Sequence, residues 1–346
     1  MRRVAPHGSS WAPPMRRDGF RFAYATRLNG FKADAARAFP GKNRVTTLDL
    51  LDRAATVPGL SAVDFNFPDH LEGLAPSDLR MRLDDLGLGL NGFAMRYYSD
   101  PGFKLGALSH PDRTVRQKAL DLTLRGLDAL AEAGGTLMTL WLGQDGFDYP
   151  FQADYGALWD ACAESLLAVA AHNPAIDISL EYKPNEPRAF SLLPDAATTL
   201  LMLSDVGAPN TGVTLDFAHV LYADEMPAYA ATLVARRSRL LGVHLNDSYA
   251  KRDDGLVAGS VHPIQTIELL HVLEKLGYRN ALYFDTFPDA VGLDPIEECA
   301  ANIGAVEGMA RVLDRLRSNP ELDAAIGRGD AVRSQRIVQA ALYGGG

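Results

Sequence analysis

Eight short apolar runs recur along this chain, and a longer stretch with helical apolar spacing follows most of them. The runs are Phe20–Thr26, Ala62–Phe67, Gly89–Arg96, Thr136–Leu142, Ile176–Glu181, Gly212–Asp216, Leu240–Leu245 and Ala281–Asp285. Between them lie helical patterns such as Asp112–Ala133, Asp154–Ala171 and Pro263–Leu276, the last stopping at Lys-Leu-Gly. This alternation implies parallel strands with crossover helices, because a tight turn cannot join a parallel pair. Eight such units in roughly 290 residues suit a closed (β/α)8 barrel. An open doubly wound sheet is the rival. Its usual phosphate-binding turns are missing: no G-x-G-x-x-G follows the first run and no G-x-x-x-x-G-K-[ST] occurs.

Composition narrows the function classes. Of 346 residues, 47% are hydrophobic and 22% charged, which excludes disorder for the bulk of the chain. No apolar run approaches the roughly 18 residues of a membrane span. A net charge of −9, from 34 basic against 43 acidic residues, makes the chain a poor partner for nucleic acid. The two cysteines, Cys162 and Cys299, show no pairing or metal spacing, and a reducing cytoplasm fits them. We expect three parts: a disordered extension over residues 1–17, a barrel over 18–315 and a C-terminal helical tail over 316–346. The extension, MRRVAPHGSSWAPPMRR, lacks the apolar centre of a secretory signal, and Met15 is an alternative start. The tail is Ala- and Arg-rich and amphipathic; it packs on a partner subunit or docks as a terminal helix.

The ends of the later runs carry the chemistry. Ile-Asp-Ile-Ser-Leu leads into Glu181, Gly-Val-Thr-Leu into Asp216, Leu-Leu-Gly-Val into His244 and Ala-Leu-Tyr-Phe into Asp285. Successive members lie roughly 30 to 40 residues apart, one strand–helix unit each. In a barrel these four side chains aim at the axis from the C-terminal rim. One polar residue at a strand end is usually a helix cap or a turn former. Three carboxylates and an imidazole converging on one point need a counter-charge, which a divalent metal supplies. Oxygen donors with one nitrogen favour Mn²⁺ first, with Mg²⁺ or Co²⁺ as alternatives.

The neighbouring loops add polar groups. Lys183 lies two residues past Glu181 and shares its face of the strand end, where it can stabilise negative charge on an oxygen; a surface salt bridge to Glu186 is the plainer reading. Pro184 and Pro187 stiffen this loop. His219 stands three residues past Asp216, placed for a second metal or for substrate. Asn246, Asp247, Asp253 and Asp254 share one rim loop, where some serve only as caps or turn residues.

At these residues the chain resembles the xylose isomerase-like TIM-barrel superfamily, including xylose and rhamnose isomerases and ketose 3-epimerases, from about Phe20 to Leu313. Glu181-Tyr-Lys-Pro-Asn-Glu-Pro-Arg188 is the most specific match, to the xylose isomerase lysine loop. Tyr98-Ser-Asp-Pro-Gly-Phe-Lys-Leu-Gly-Ala-Leu resembles the family's third-strand loop, and Trp141-Leu-Gly-Gln-Asp-Gly its fourth-strand segment. The resemblance implies that Glu181, Asp216, His244 and Asp285 hold a structural metal. It implies Lys183 as the polarising lysine, His219 and Asp253 as ligands of a second, mobile metal, and Tyr98 and Trp141 as pocket walls. Two departures stand out. Gly255 occupies the position of a second carboxylate beyond Asp253. Asn66 occupies the place of a ring-opening histidine, with Asp69 or His70 as the candidate substitutes.

The expected activity is therefore metal-dependent interconversion of an unphosphorylated aldose and ketose. Lys183, His219 and Asp253 are the expected catalytic side chains, and Tyr98, Trp141, Asn246 and Arg188 are expected at the substrate. Arg96 and Arg188 are the residues that would hold a phosphate if the sugar carried one. A homo-oligomer, dimer or tetramer, is the expected assembly. The alternatives are the large subunit of a C-glycoside-cleaving lyase complex, a ketose 3-epimerase, a repair nuclease of the endonuclease IV type and a non-catalytic sugar-binding barrel. The short arm of Asp285 speaks against the epimerase and the acidic charge against the nuclease.

Overall fold

The computed structural model describes residues 16–344, so most of the segment 1–17 lies outside the described residues. Eight parallel strands close into a barrel: β1 Tyr24–Arg27, β2 Ala62–Phe67, β3 Gly89–Met95, β4 Leu137–Trp141, β5 Asp177–Glu181, β6 Thr211–Asp216, β7 Leu240–Leu245 and β8 Leu282–Phe284. Each pairs with its neighbours in sequence, and Tyr24 opposite Leu282 closes the ring. All eight expected strands are present. The first starts later than its apolar pattern suggests. Arg21, between Phe20 and Phe22, turns outward to Glu274 and Asp314, while its backbone N–H donates to Glu307. The chain enters the barrel only at Tyr24, and β1 runs one residue further, to Arg27.

The principal crossover helices are α1 Thr47–Ala54, α2 Pro76–Leu86, α3 Arg113–Glu132, α4 Tyr155–His172, α5 Ala196–Val206, α6 Pro227–Arg237, α7 Pro263–Leu276 and α8 Pro295–Arg317. Their starts are written in the sequence. Asp112, Asp154, Asp195 and Asp294 each accept a hydrogen bond from a first-turn N–H, and Thr46 forms a reciprocal capping box with Asp49. Gly277 ends α7 at φ 72°, a left-handed turn suited to glycine. The main core lies between sheet and helices and includes Val63, Phe65, Phe93, Met95, Leu180 and Val243. A second, small cluster of Ala23, Ala25, Ala62, Ala281 and Tyr283 fills the barrel interior below the site.

Two further helices, α9 Pro320–Gly327 and α10 Ala331–Tyr343, form the helical C-terminal region. Ile337 and Ala341 of α10 are buried, and Arg315 of α8 donates to the carbonyl of Ala341 at 2.7 Å. The tail thus docks on its own chain. Among the described residues no helix is long and apolar enough to cross a membrane. Cys162 and Cys299 are free and buried.

Candidate metal centre and substrate pocket

Strand alternation places one side chain per strand at the barrel mouth. On β5 to β8 the positions are Glu181, Asp216, His244 and Asp285, the last just past β8. Asp216 stands directly opposite His244 in the ladder, and Trp141 opposite Glu181. One donor atom from each of Glu181, Asp216, His244 and Asp285 lies within 4.8 Å of the others. Donors about 2.0–2.6 Å from a common centre stand at most about 5 Å apart, so this spacing fits a single divalent cation. His244 Nδ1, 3.5 Å from Glu181 Oε1, is buried with no hydrogen-bond partner, as a nitrogen kept for a metal would be.

The electrostatics agree with that fit. Burial alone would raise the Glu181 carboxyl, but the His244 imidazole overrides it and holds the group below its usual value. Burial pushes the Asp216 carboxyl up to about 7 and raises that of Asp285. Burial opposes a charge on His244, yet Glu181 and its neighbours drive the imidazole up to about 9. A buried cluster this rich in anions takes up protons unless a cation offsets it.

Beside these four lies a second group. Lys183 donates to Asp253 at 3.1 Å and pairs with Glu186 at 3.2 Å, and its ammonium lies 5.4 Å from the centre of the Trp141 ring. Both pairings of Lys183 therefore exist, one buried and one at the rim. Against the pull of burial, Asp253 and Glu186 raise the lysine and keep it charged. His219 Nδ1 donates to the carbonyl of Tyr182 at 3.0 Å, and Nε2 faces Asp253 at 3.1 Å. Burial opposes protonation, but Asp216 and Asp253 push this imidazole up to about 9. The Asp253 oxygen that the resemblance gives to a second metal is thus held by an ammonium and an imidazolium.

Position 255 explains the missing carboxylate. Gly255 has φ +59°, and a Cβ there would lie 2.3 Å from the Phe287 ring. A longer side chain there strains the backbone and has to displace the Phe287 ring.

Tyr98 and Trp141 form one wall, their rings 5.5 Å apart and edge to face. Two expected substrate residues serve elsewhere. Asn246 is fully buried; its Oδ1 accepts from the Ala218 N–H, while Nδ2 donates to Asp216 and to the carbonyl of Asp285. It has no atom left for a substrate. Arg188 is buried too and clamps loops: it donates to the carbonyls of Lys104 and Gly146 and pairs with Asp148 at 3.1 Å. This secures the small antiparallel ribbon of Gly146–Phe147 and Phe190–Ser191. His70 cannot stand in for a ring-opening histidine. Its Nδ1 accepts from the Asn66 N–H at 3.0 Å, and Nε2 meets Asn29 Oδ1 at 2.6 Å. Of Asp247 and Asp254 on the rim loop, the first binds His262 and the backbone of Val261, and the second binds Arg252 and the Tyr249 N–H.

Sequence reasoning passed over Arg27, and it weighed Arg96 only as a phosphate ligand. Both carry the signal used for the other four: a polar residue that ends an apolar strand. Arg27 Nη2 binds Asp289 at 2.8 Å and its Nε lies 3.9 Å from Asp285. Arg96 packs its guanidinium 4.2 Å from the centre of the Tyr98 ring.

Comparison with known proteins shows the family and the fold. Xylose isomerase from Thermus thermophilus is 30% identical over 209 residues, 59% of this chain and 54% of that protein. The chain spans about half the length of the curated relatives it matches. Among solved structures, a D-tagatose 3-epimerase-like protein superposes with a TM-score of 0.66 at 16% identity, covering 85% of this chain and 98% of that one. A xylose isomerase domain protein from Alicyclobacillus acidocaldarius gives 0.61 at 19% identity, covering 84% and 98%. Those two likenesses concern the fold. The family model of the xylose isomerase-like TIM barrel matches residues 51–317, and the chain belongs to that family.

Proposed function

We propose that this protein is a divalent-metal-dependent isomerase that interconverts an unphosphorylated aldose and ketose. The observation that carries the reading is the convergence of Glu181, Asp216, His244 and Asp285 within 4.8 Å, with the Lys183 ammonium in the adjoining group. The xylose isomerase of Thermus thermophilus, 30% identical over 209 residues, supports the reaction class. Mn²⁺ is the first choice for three oxygens and one nitrogen, ahead of Mg²⁺ and Co²⁺. When bound, the ion would supply Lewis acidity toward adjacent sugar oxygens.

The chain's own groups do the rest. Lys183, kept protonated by Asp253 and Glu186, donates a hydrogen bond to the sugar carbonyl oxygen as it gains negative charge. His219 and Asp253 hold that lysine and fix its direction. Tyr98 and Trp141 offer flat apolar surface to a sugar face. The reaction moves one hydrogen between C1 and C2 of the same molecule, so no external reductant is required. The test is a panel of free aldoses and ketoses, their uronic acids included, with Mn²⁺, Co²⁺ or Mg²⁺, with products read by NMR. Metal-dependent conversion supports the reading, and no conversion across the panel overturns it.

One observation favours a second reading. With His70 locked by Asn66 and Asn29, and Asn66 at the matching place, no imidazole among the described residues takes the place of a ring-opening histidine. The large subunit of a C-glycoside-cleaving lyase would need none. Co-purification of a small β-rich partner distinguishes the two.

A further inference from the structure

The half of the mouth opposite the metal donors has its own chemistry. Arg27 is the last residue of β1, Asn66 the last but one of β2, and Arg96 the first residue past β3. Their strand neighbours Val63, Phe65, Phe93 and Met95 face the outer core, and Ala25 and Ala62 face the interior, so alternation turns all three inward. Arg27 Nε, Asn66 Nδ2 and Arg96 Nε are enclosed and meet no hydrogen-bond acceptor. Three enclosed donors on adjacent strands, all without acceptors, are costly unless a ligand satisfies them.

Charge adds to the case. Arg27 is matched by Asp289 at 2.8 Å, with Asp285 at 3.9 Å. Among the described residues, Arg96 has no carboxylate within 4.0 Å, so Asp285 and Asp69 act on it only from beyond ion-pair range. Burial, followed by the charge of Arg27, holds the Arg96 guanidinium below its usual value. Asp64 lies one layer deeper on β2, where burial pushes its carboxyl up to about 7. Among the described residues, the Arg96 guanidinium is therefore the cation of this half of the mouth with no carboxylate at ion-pair distance.

Donors without acceptors call for an acceptor-only group. A sugar hydroxyl would bring a proton that needs a place of its own, whereas an ionised carboxylate brings two oxygens and none. The planar fork of a guanidinium matches that group, and one unmatched positive charge balances its single negative charge; a phosphate would bring nearly two. Building on the isomerase reading above, we propose that the substrate is a sugar acid whose carboxylate, remote from the oxygens offered to Glu181, Asp216, His244 and Asp285, seats against Arg96, Asn66 and Arg27.

The experiment compares matched sugars: a panel of hexuronates, each with its parent hexose and the corresponding hexose 6-phosphate. Binding to the Mn²⁺-loaded protein is measured by calorimetry and conversion by NMR. We expect at least one hexuronate to bind more than about tenfold tighter than its parent, since a hydrogen bond to a charged group corresponds to about 10- to 100-fold. Arg96→Gln should remove that preference, read as the ratio of hexuronate to hexose affinity within the same variant, and Arg96→Lys, which keeps the charge without the fork, should restore part of it. Melting temperatures of both variants report whether they fold. Equal affinity for every hexuronate and its parent overturns the proposal, as does an Arg96→Gln variant that still prefers the hexuronate. Preference for the 6-phosphate overturns it in favour of a phosphosugar. The two readings fail separately. Selective hexuronate binding with no metal-dependent conversion removes the isomerase and leaves the carboxylate seat. Conversion of hexoses alone removes the seat and leaves the isomerase.

Discussion

The side-chain amide of Asn246 donates to both carboxylate oxygens of Asp216, at 3.1 and 3.2 Å. Asn246 also reaches the carbonyl of Asp285, so one buried amide braces two of the four donors. Such outer partners set the direction of a ligand's lone pairs. Asn246→Ala should weaken Mn²⁺ binding about 10- to 100-fold without removing a donor. Calorimetric metal titration checks this, and unchanged affinity would leave Asn246 without the bracing role.

Lys183 is the group that separates binding from turnover. Lys183→Met should retain the metal and lose conversion by about 100- to 1000-fold, the range seen when one donor to a developing oxyanion is removed. Metal content and turnover are measured on the same preparation. Full activity would take the lysine out of the reaction.

Gly255 is fixed by its surroundings. Gly255→Asp, which restores the carboxylate found at the matching position of the isomerases, should destabilise the fold by about 1–3 kcal/mol. The cause is a left-handed backbone together with the Phe287 ring 2.3 Å from the new Cβ. Urea unfolding measures the loss, and a variant of unchanged stability that binds a second metal would contradict it.

His70 gives a pH signature. Burial, reinforced by the facing cations Lys32, Arg96 and Arg27, lowers the imidazole from 6.5 to about 3. The unfolded chain therefore takes a proton between pH 6.5 and 3 that the folded chain refuses. The contribution of His70 is complete above pH 6.5 and is lost progressively as pH falls toward 3. Between pH 6.5 and 4.5 the protein should lose about 2 kcal/mol more stability than His70→Gln, by urea unfolding at both values. Parallel curves for the two proteins would contradict the buried neutral imidazole.

Much of this was legible in the chain itself. The barrel follows from eight apolar runs, because a strand buried on both faces leaves a continuous hydrophobic trace. The four donors follow from the residue that ends each later run. What stayed hidden depends on direction and distance. Asn246 and Arg188 look like substrate residues in loops, but only packing shows that Asn246 turns beneath Asp216 and that Arg188 clamps Lys104 and Gly146. His70 looks free until Asn29, 41 residues earlier, is found at its Nε2. Arg27 was missed because β1 runs one residue beyond its apolar pattern.

Glu181, Asp216, His244 and Asp285 are placed to grip one divalent ion. Elemental analysis of purified protein, after metal loading and dialysis, tests it most directly. About one divalent ion per chain is expected in the parent protein and close to none in Glu181→Ala or Asp285→Ala, each variant still folded by circular dichroism. Folded variants that keep the full metal content of the parent would contradict it.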